Sequence, residues 1–255
     1  MLPGPPSKFK YRVVNDRLRQ IIVDSQLFFA DPRRFYDQDP FDCRLDGSLI
    51  HSPDAVLRLA KDTVKKRFPH FNRKQRRKEL AGGRGRIDPA MLARTEAPTI
   101  DRLLVETGVC CFTDRPDNLQ AWDKHGDKLA GVCLEFVLLD SKPFLTCTPV
   151  KYQATPPRFR AAVELVCDPG GFAAKAADWC LTKCEEFKWE EEWRAIAPVG
   201  QHAFPPEALT RIVLGPLITS ENEALVRSWA GASPSKPRIV KAELREDGTV
   251  SIPQS

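Results

Sequence analysis

The stretch Phe187-Lys-Trp-Glu-Glu-Glu-Trp-Arg-Ala-Ile-Ala197 limits most what this chain can fold into. Three consecutive carboxylates sit between two tryptophans and run into Arg-Ala-Ile-Ala. That pattern suits neither a strand buried on both faces nor a solvated helix. In an extended chain, side chains alternate between faces. Glu190, Glu192 and Arg194 then share one face, and Trp189, Glu191 and Trp193 share the other. A neighbouring carboxylate raises a carboxyl pKa and an arginine lowers it. The stretch therefore reads either as a candidate site or as a strand end with a salt bridge on a wet face, because structural ion pairs look the same.

The rest of the chain must bury this strand. Its 255 residues are enough for one large domain or two small ones. Hydrophobic content of 42% and charged content of 29% are those of a soluble globular protein. No run of eighteen apolar residues occurs, so no membrane span is expected. The start, Met1-Leu-Pro-Gly-Pro-Pro, lacks the basic-then-apolar layout of a signal peptide, and a cytoplasmic location is expected. Eight cysteines in a chain this long read as buried free thiols rather than a disulfide scaffold. Cys180 and Cys184 are spaced to share a helix face, but no second pair or nearby histidine completes a zinc site, and no metal is expected.

Taken in order, Ser7 to Val14 reads as a strand with Tyr11 and Val13 on one face and Lys10, Arg12 and Val14 on the other. Asn15 caps a helix carrying Leu18, Ile21 and Ile22. Leu27 to Ala30 is a short strand ended by Asp31-Pro32, and Arg33 to Asp42 is a loop. A helix capped by Ser52 or Asp54 runs to about Arg67, where Pro69 stops it. Asn72 caps a very basic helix to about Leu80, ended by Gly82-Gly83. A third helix covers Pro89 to Arg94. Strands follow at Val109 to Thr113 and Gly131 to Leu139, with a short helix from Asn118 between them. An irregular strand spans Pro143 to Tyr152. A helix spans Phe172 to Cys184, with Phe172, Ala176, Trp179 and Cys180 on one side. After the acidic strand come a strand at Leu209 to Leu214, a helix capped by Ser220, and a closing hairpin of Arg238 to Leu244 with Thr249 to Ile252. This pattern predicts an α+β fold with a mostly antiparallel sheet, formed as a single domain over 1–255, with a basic helical insertion over 53–95.

Charge is unevenly placed. Residues 61–86 hold eleven Lys or Arg against Asp62 and Glu79, a net of +9, which leaves −4 on the rest of a chain whose total is +5. Lys74, Arg76, Arg77 and Lys78 are the densest part. Lysine and arginine contacts to phosphates give sequence-independent, salt-dependent affinity, so a nucleic-acid partner fits. Only Phe68 and Phe71 interleave, which argues against a single-strand stacking platform.

Several segments together resemble a bacterial family known as domain of unknown function 2971. Its K-Y-R opening matches Lys10-Tyr11-Arg12. Its F-N-D-P-F-D/E loop resembles Phe35-Tyr-Asp-Gln38-Asp39-Pro40-Phe41-Asp42, with two extra residues. Its G-I-x-S-L-S strand matches Gly108 to Thr113, with Cys111-Phe-Thr113 at the Ser-x-Ser positions. Trp122 and Gly131 keep the spacing of W-x-x-Y-x-x-x-H-x-G, with His125 at the Tyr place and Leu129 at the His place. Val150-Lys-Tyr152 matches V-x-Y, Phe187 to Arg194 matches W-x-Y-E-x-E-W-R, and Ile212 to Gly215 matches I-x-L-G.

More distantly, the order of three elements is similar to that of ADP-ribosyltransferases, and implies their split sheet. There a first-strand Arg, an S-T-S strand and an E-x-E strand surround nicotinamide adenine dinucleotide (NAD). The resemblance implies Arg12 at the pyrophosphate, where a planar fork makes two charge-assisted bonds. It implies Glu192 beside the ribose, stabilising an oxocarbenium-like charge, and Glu190 positioning or deprotonating the acceptor. Thr113 would bind ribose or orient Glu192, Phe35 or Trp122 would flank the nicotinamide, and Asp39 would belong to the dinucleotide site. The function expected is cleavage of the nicotinamide–ribose bond of NAD with transfer or release of ADP-ribose, in the manner of a bacterial toxin or defence effector. The alternative is a non-catalytic nucleic-acid-binding protein using 61–86. A magnesium-dependent nuclease lacks a D-x-D or E-x-K motif in strand context.

Overall fold

A computed structural model describes residues 6–35, 39, 42, 43, 61, 62, 64, 65, 68–81, 89–155 and 171–253. Their elements are, in order, β1 (Ser7–Arg12), α1 (Asp16–Asp24), β2 (Gln26–Phe29), a 3-10 turn (Pro32–Phe35), α2 (Arg73–Ala81), α3 (Pro89–Glu106), β3 (Gly108–Thr113), α4 (Leu119–His125) and β4 (Val132–Val137). A 3-10 turn (Phe144–Thr146) leads to β5 (Thr148–Pro149) and β6 (Lys151–Gln153). Then come α5 (Phe172–Cys180), β7 (Thr182–Cys184), a 3-10 turn (Glu185–Glu190), β8 (Glu192–Ala197), β9 (Gly200–Ala203), β10 (Leu209–Leu214), α6 (Ser220–Ala232), β11 (Arg238–Lys241), β12 (Glu243–Leu244) and β13 (Val250–Ser251).

The fold is α+β. Seven strands form one sheet in the order β11-β10-β4-β1-β3-β8-β5. Every neighbouring pair in it is antiparallel except β10 with β11. Residues 1–30, 108–150 and 186–255 form one compact unit, which holds this sheet; residues 31–107 and 151–185 form a second. The basic helix α2 belongs to the second.

In the first unit, strand alternation sorts the side chains. Val132, Leu134 and Phe136 of β4 pack with Cys110 and Phe112 of β3 and with Ile212 and Leu214 of β10. On this face α1 contributes Leu18, Ile21 and Ile22, and α6 contributes Val226 and Ala230. The opposite face holds Phe9, Tyr11, Cys133 and Val213 under Ala121 and Trp122 of α4. The helices start where their caps dictate: Asn15 accepts from Leu18 N at 3.1 Å, and Asn118 accepts from Ala121 N at 3.2 Å. At α2, Asn72 and Gln75 cap each other reciprocally, at 2.8 and 2.9 Å.

Several expected elements differ. β1 stops at Arg12, not Val14. The third helix runs to Glu106, through Pro98, instead of ending near Arg94. The strand expected over Pro143 to Tyr152 is broken into a 3-10 turn and two short strands. The helix from Phe172 ends at Cys180, and Thr182–Cys184 pairs with β6 instead, so Cys180 and Cys184 do not share a helix face. Thr219, not Ser220, caps α6, accepting from Asn222 N at 3.2 Å. β11 joins the main sheet beside β10 rather than forming the closing hairpin, which is only β12 with β13. β9, which pairs with β2, carries no apolar alternation that a sequence reading would catch. The helix expected over 52–67 falls mostly outside the described residues, though 61, 62, 64 and 65 are helical. Gln38, Pro40, Phe41 and Gly82 to Arg86 also lie outside them. Among the described residues no helix is long and apolar enough to cross a membrane.

The turn from α4 into β4 is packed backbone against backbone. A Cβ on Gly131 would lie 2.3 Å from Arg12 O and 2.9 Å from Gly126 O, whereas one on Gly231 in α6 would meet nothing within 4 Å. Gly131→Ala is therefore expected to lose about 2 kcal/mol or more, and Gly231→Ala to gain about 0.5–1 kcal/mol. Urea unfolding midpoints check both; equal midpoints for the two variants would refute the packing argument.

Candidate functional site

β8 lies beside β3, with Thr113 opposite Glu192 and Cys111 opposite Arg194. β3 in turn lies beside β1. The alternation expected for Glu192 and Arg194 holds, and the two side chains meet. Arg194 is completely buried, and Glu192 is 6% exposed. Arg194 Nε donates to Glu192 Oε1 at 2.8 Å and Arg194 Nη2 to Oε2 at 3.1 Å. This is a two-pronged, charge-assisted contact between neighbours on one strand face. Cys111 also faces Glu192; burial, then the carboxylate, pushes its thiol pKa well up. Burial does the same to Cys133, and pushes Cys147 up to about 12. These three are neutral thiols near neutral pH, and none is an activated nucleophile.

Glu190 is not on the strand face with Glu192, as the alternation predicted. It ends a 3-10 turn, and Glu191 follows with φ of 43°, a left-handed residue that resets the alternation. Thr113, Asn118 and Asp114 each bond the backbone of this turn. Thr113 Oγ1 donates to Glu190 O at 2.8 Å, Asn118 Nδ2 to Trp189 O at 2.7 Å, and Asp114 N to Glu191 O at 3.3 Å. The Thr113 hydroxyl is thus a latch on the turn. Glu190 Oε1 accepts from Lys124 Nζ of α4 at 2.9 Å, with His125 Nε2 at 4.0 Å. The ammonium also lies 5.1 Å from the Phe187 ring centroid and 5.5 Å from that of Trp189. An open groove beside it is lined by Leu119, Gln120, Asp123, Lys124, Leu129 and Trp189.

Arg12 is on the opposite face of the sheet. It pairs with Val132, on the side of the large apolar core, whereas Glu192 shares the face of Thr113 and Phe9. Among the described residues its buried Nε has no hydrogen-bond partner. Burial foremost, and Arg17 among the nearby charges, lower its pKa. The same face of β1 carries Lys10, whose Nζ donates to Cys111 O at 2.6 Å, and Lys8, which bonds Asp114 and lies 3.8 Å from the Trp193 ring centroid. Trp193 therefore faces away from Glu192 and packs against the large core, while Trp189 packs against the smaller cluster around Trp122.

Trp122 has no exposed surface. Its Nε1 donates to Pro116 O at 2.9 Å, and its ring meets Tyr11 edge-on at 5.0 Å. It is core, with no free face for a nicotinamide. Phe35 and Asp39 belong to the second unit. Phe35 closes a 3-10 turn, and buried Asp39 accepts from Cys184 N at 3.4 Å. In α2, Lys74, Arg77 and Lys78 are exposed, Arg76 is half-buried, and no residue is fully buried. Arg76 Nη2 donates to Pro69 O at 3.1 Å.

The structure thus brings Thr113, Glu190 and Glu192 together around the β3–β8 junction, and sets Arg12 apart on the reverse face. Sequence reasoning missed Lys124 and Phe187. The signal was the pair Lys124-His125 closing a helix whose Trp122 had already been singled out. Comparison with protein-family models, curated proteins and solved structures returns no match for this chain.

Removing one partner of a buried pair leaves the other charge uncompensated. Arg194→Met is expected to lose about 3–5 kcal/mol, whereas Arg194→Met combined with Glu192→Leu recovers most of that loss. Chemical denaturation of the single and double variants tests this; a double variant as unstable as the sum of the singles would contradict the pairing.

Proposed function

We propose that the protein is an ADP-ribosyltransferase-like enzyme that breaks the nicotinamide–ribose bond of NAD. The observation that supports this most is the strand order. The strands bearing Lys10-Tyr11-Arg12 and Cys111-Phe-Thr113 and the strand that Glu192 opens, distant in sequence, are consecutive neighbours in the sheet, with Thr113 directly opposite Glu192. This adjacency of the Cys111-Phe-Thr113 strand and Glu192 is what the resemblance to that superfamily calls for, whereas Arg12 faces the other way.

The chemistry is simple in its balance. The bond between ribose C1′ and the ring nitrogen breaks, its electron pair returns to the ring, and neutral nicotinamide leaves. Water or an acceptor group then bonds C1′ and releases a proton. Glu192 is the carboxylate that stabilises the cationic ribose. Arg194 bonds both of its oxygens, which fixes the direction in which the carboxylate faces. Glu190, two residues away, is the base for the incoming nucleophile. Thr113 orients the turn that carries Glu190 rather than touching substrate. Arg12 projects from the other face and leaves the pyrophosphate to other groups.

A second reading has its own support. Lys74, Arg77 and Lys78 stand exposed on one short helix whose sequence segment carries the chain's excess positive charge. We propose that this helix holds a nucleic acid, as the enzyme's acceptor or as a target bound without catalysis.

Two measurements separate these readings. Purified protein should release nicotinamide from NAD, and Glu192→Gln, which leaves buried Arg194 without its counter-charge and is expected to lose about 3–5 kcal/mol, should abolish release under conditions where circular dichroism shows the variant folded. No release from a folded wild type overturns the enzyme reading. Lys74→Gln/Lys78→Gln should weaken binding to nucleic acids of any sequence and flatten the salt slope by about two. An unchanged slope overturns the binding reading.

A further inference from the structure

Lys124 occupies a cage that its own chain supplies. Its ammonium lies within about 6 Å of two ring centroids, the range in which a cation is drawn to an aromatic face. Beneath it is Glu190, whose side chain is only 9% exposed. A carboxylate taken out of water at this depth needs a cationic partner. The contacts just described are made by the Lys124 ammonium; its side chain is 32% exposed, and it projects from the last turn of a seven-residue helix. A flexible lysine of this kind can return its head to solvent at low cost. The groove beside the cage shares Lys124 and Trp189 as walls, offers the apolar surfaces of Leu119 and Leu129, and adds a second acidic group, Asp123. Acidic groups, aromatic faces and adjoining open space together suit one class of ligand.

We infer that Phe187, Trp189 and Glu190 form a receptor for a planar or quaternary organic cation, such as a pyridinium or a tetraalkylammonium, and that Lys124 fills it as an internal stand-in until the ligand displaces it. The ligand's charge takes the place of the ammonium over Glu190, its ring or methyl groups lie on Trp189 and Phe187, and the rest of it extends along the groove. The oxidised nicotinamide ring is one such cation, and it loses its charge when the ribose bond breaks. The receptor nevertheless stands independently of any reaction with NAD.

The test is calorimetric titration of the full chain with N-methylpyridinium and, separately, with tetramethylammonium. Lys124→Ala should bind at least one of them ten-fold more tightly than wild type, and adding Glu190→Gln or Phe187→Leu to that variant should return the affinity to wild type or below. Phe187→Leu keeps the carboxylate and its turn, so the test survives if Glu190→Gln fails to fold. Equal affinity in wild type and Lys124→Ala overturns the receptor, as does tight binding that ignores both second substitutions. Nicotinamide release is read in a separate assay. Cation binding without release therefore removes the enzyme reading and keeps the receptor, and release without cation binding does the reverse.

Discussion

The contact between Arg194 and Glu192 is the constraint on which the candidate site depends. A fully buried guanidinium is tolerable only where its charge and its donors are met, and here the partner is two residues away on the same strand. That requirement fixes the register of β8 against β3, because a slip by one residue would turn both groups into the apolar core on the other face. Trp193, between them, already points into that core. The pair thus decides which face of β8 is polar, one strand in from the sheet edge, and which packs into the large core.

The turn before β8 follows from the same choice. Glu192 must begin the strand facing Thr113, so the chain reverses its alternation at Glu191, with a positive φ. The strain is held by the Thr113 and Asn118 side chains, which come from the end of β3 and the cap of α4. Glu190 is thereby lifted off the sheet toward Lys124. Two carboxylates two residues apart in sequence thus have different partners, one a buried arginine and one an exposed lysine between aromatic rings.

Much of the fold was legible because its signals are local. Asn15, Asn72 and Asn118 cap helices where their side chains reach the first free amides, β1 alternates Phe9 and Tyr11 with lysines, and β3, β4 and β10 are short apolar runs. What was not legible came from non-local effects. The break at Glu191 cannot be read from three glutamates in a row, since it is imposed by bonds from Thr113 and Asn118, about seventy residues earlier. β11 carries the same alternation whether it forms a hairpin or lies parallel to β10, and only the sheet edge decides. The face of Arg12 was legible, with Lys10 on its side and Tyr11 on the other. Which of those faces Glu192 shares depends on the pairing of β1 with β3 and of β3 with β8, which no single segment encodes. Trp122 announced itself as aromatic and therefore as a possible wall of a site, but its indole is spent on Tyr11 and the Pro116 carbonyl.

On the proposed reading, the dinucleotide is worked on from the Glu192 face of the sheet and not from the Arg12 face. A structure of the chain with bound NAD tests it most directly. The expected result places a ribose hydroxyl of the nicotinamide half within hydrogen-bond distance of the Glu192 carboxylate, with the guanidinium of Arg12 uninvolved. Dinucleotide bound against Arg12 on the reverse face, with Glu192 and Arg194 still closed on each other, would contradict it.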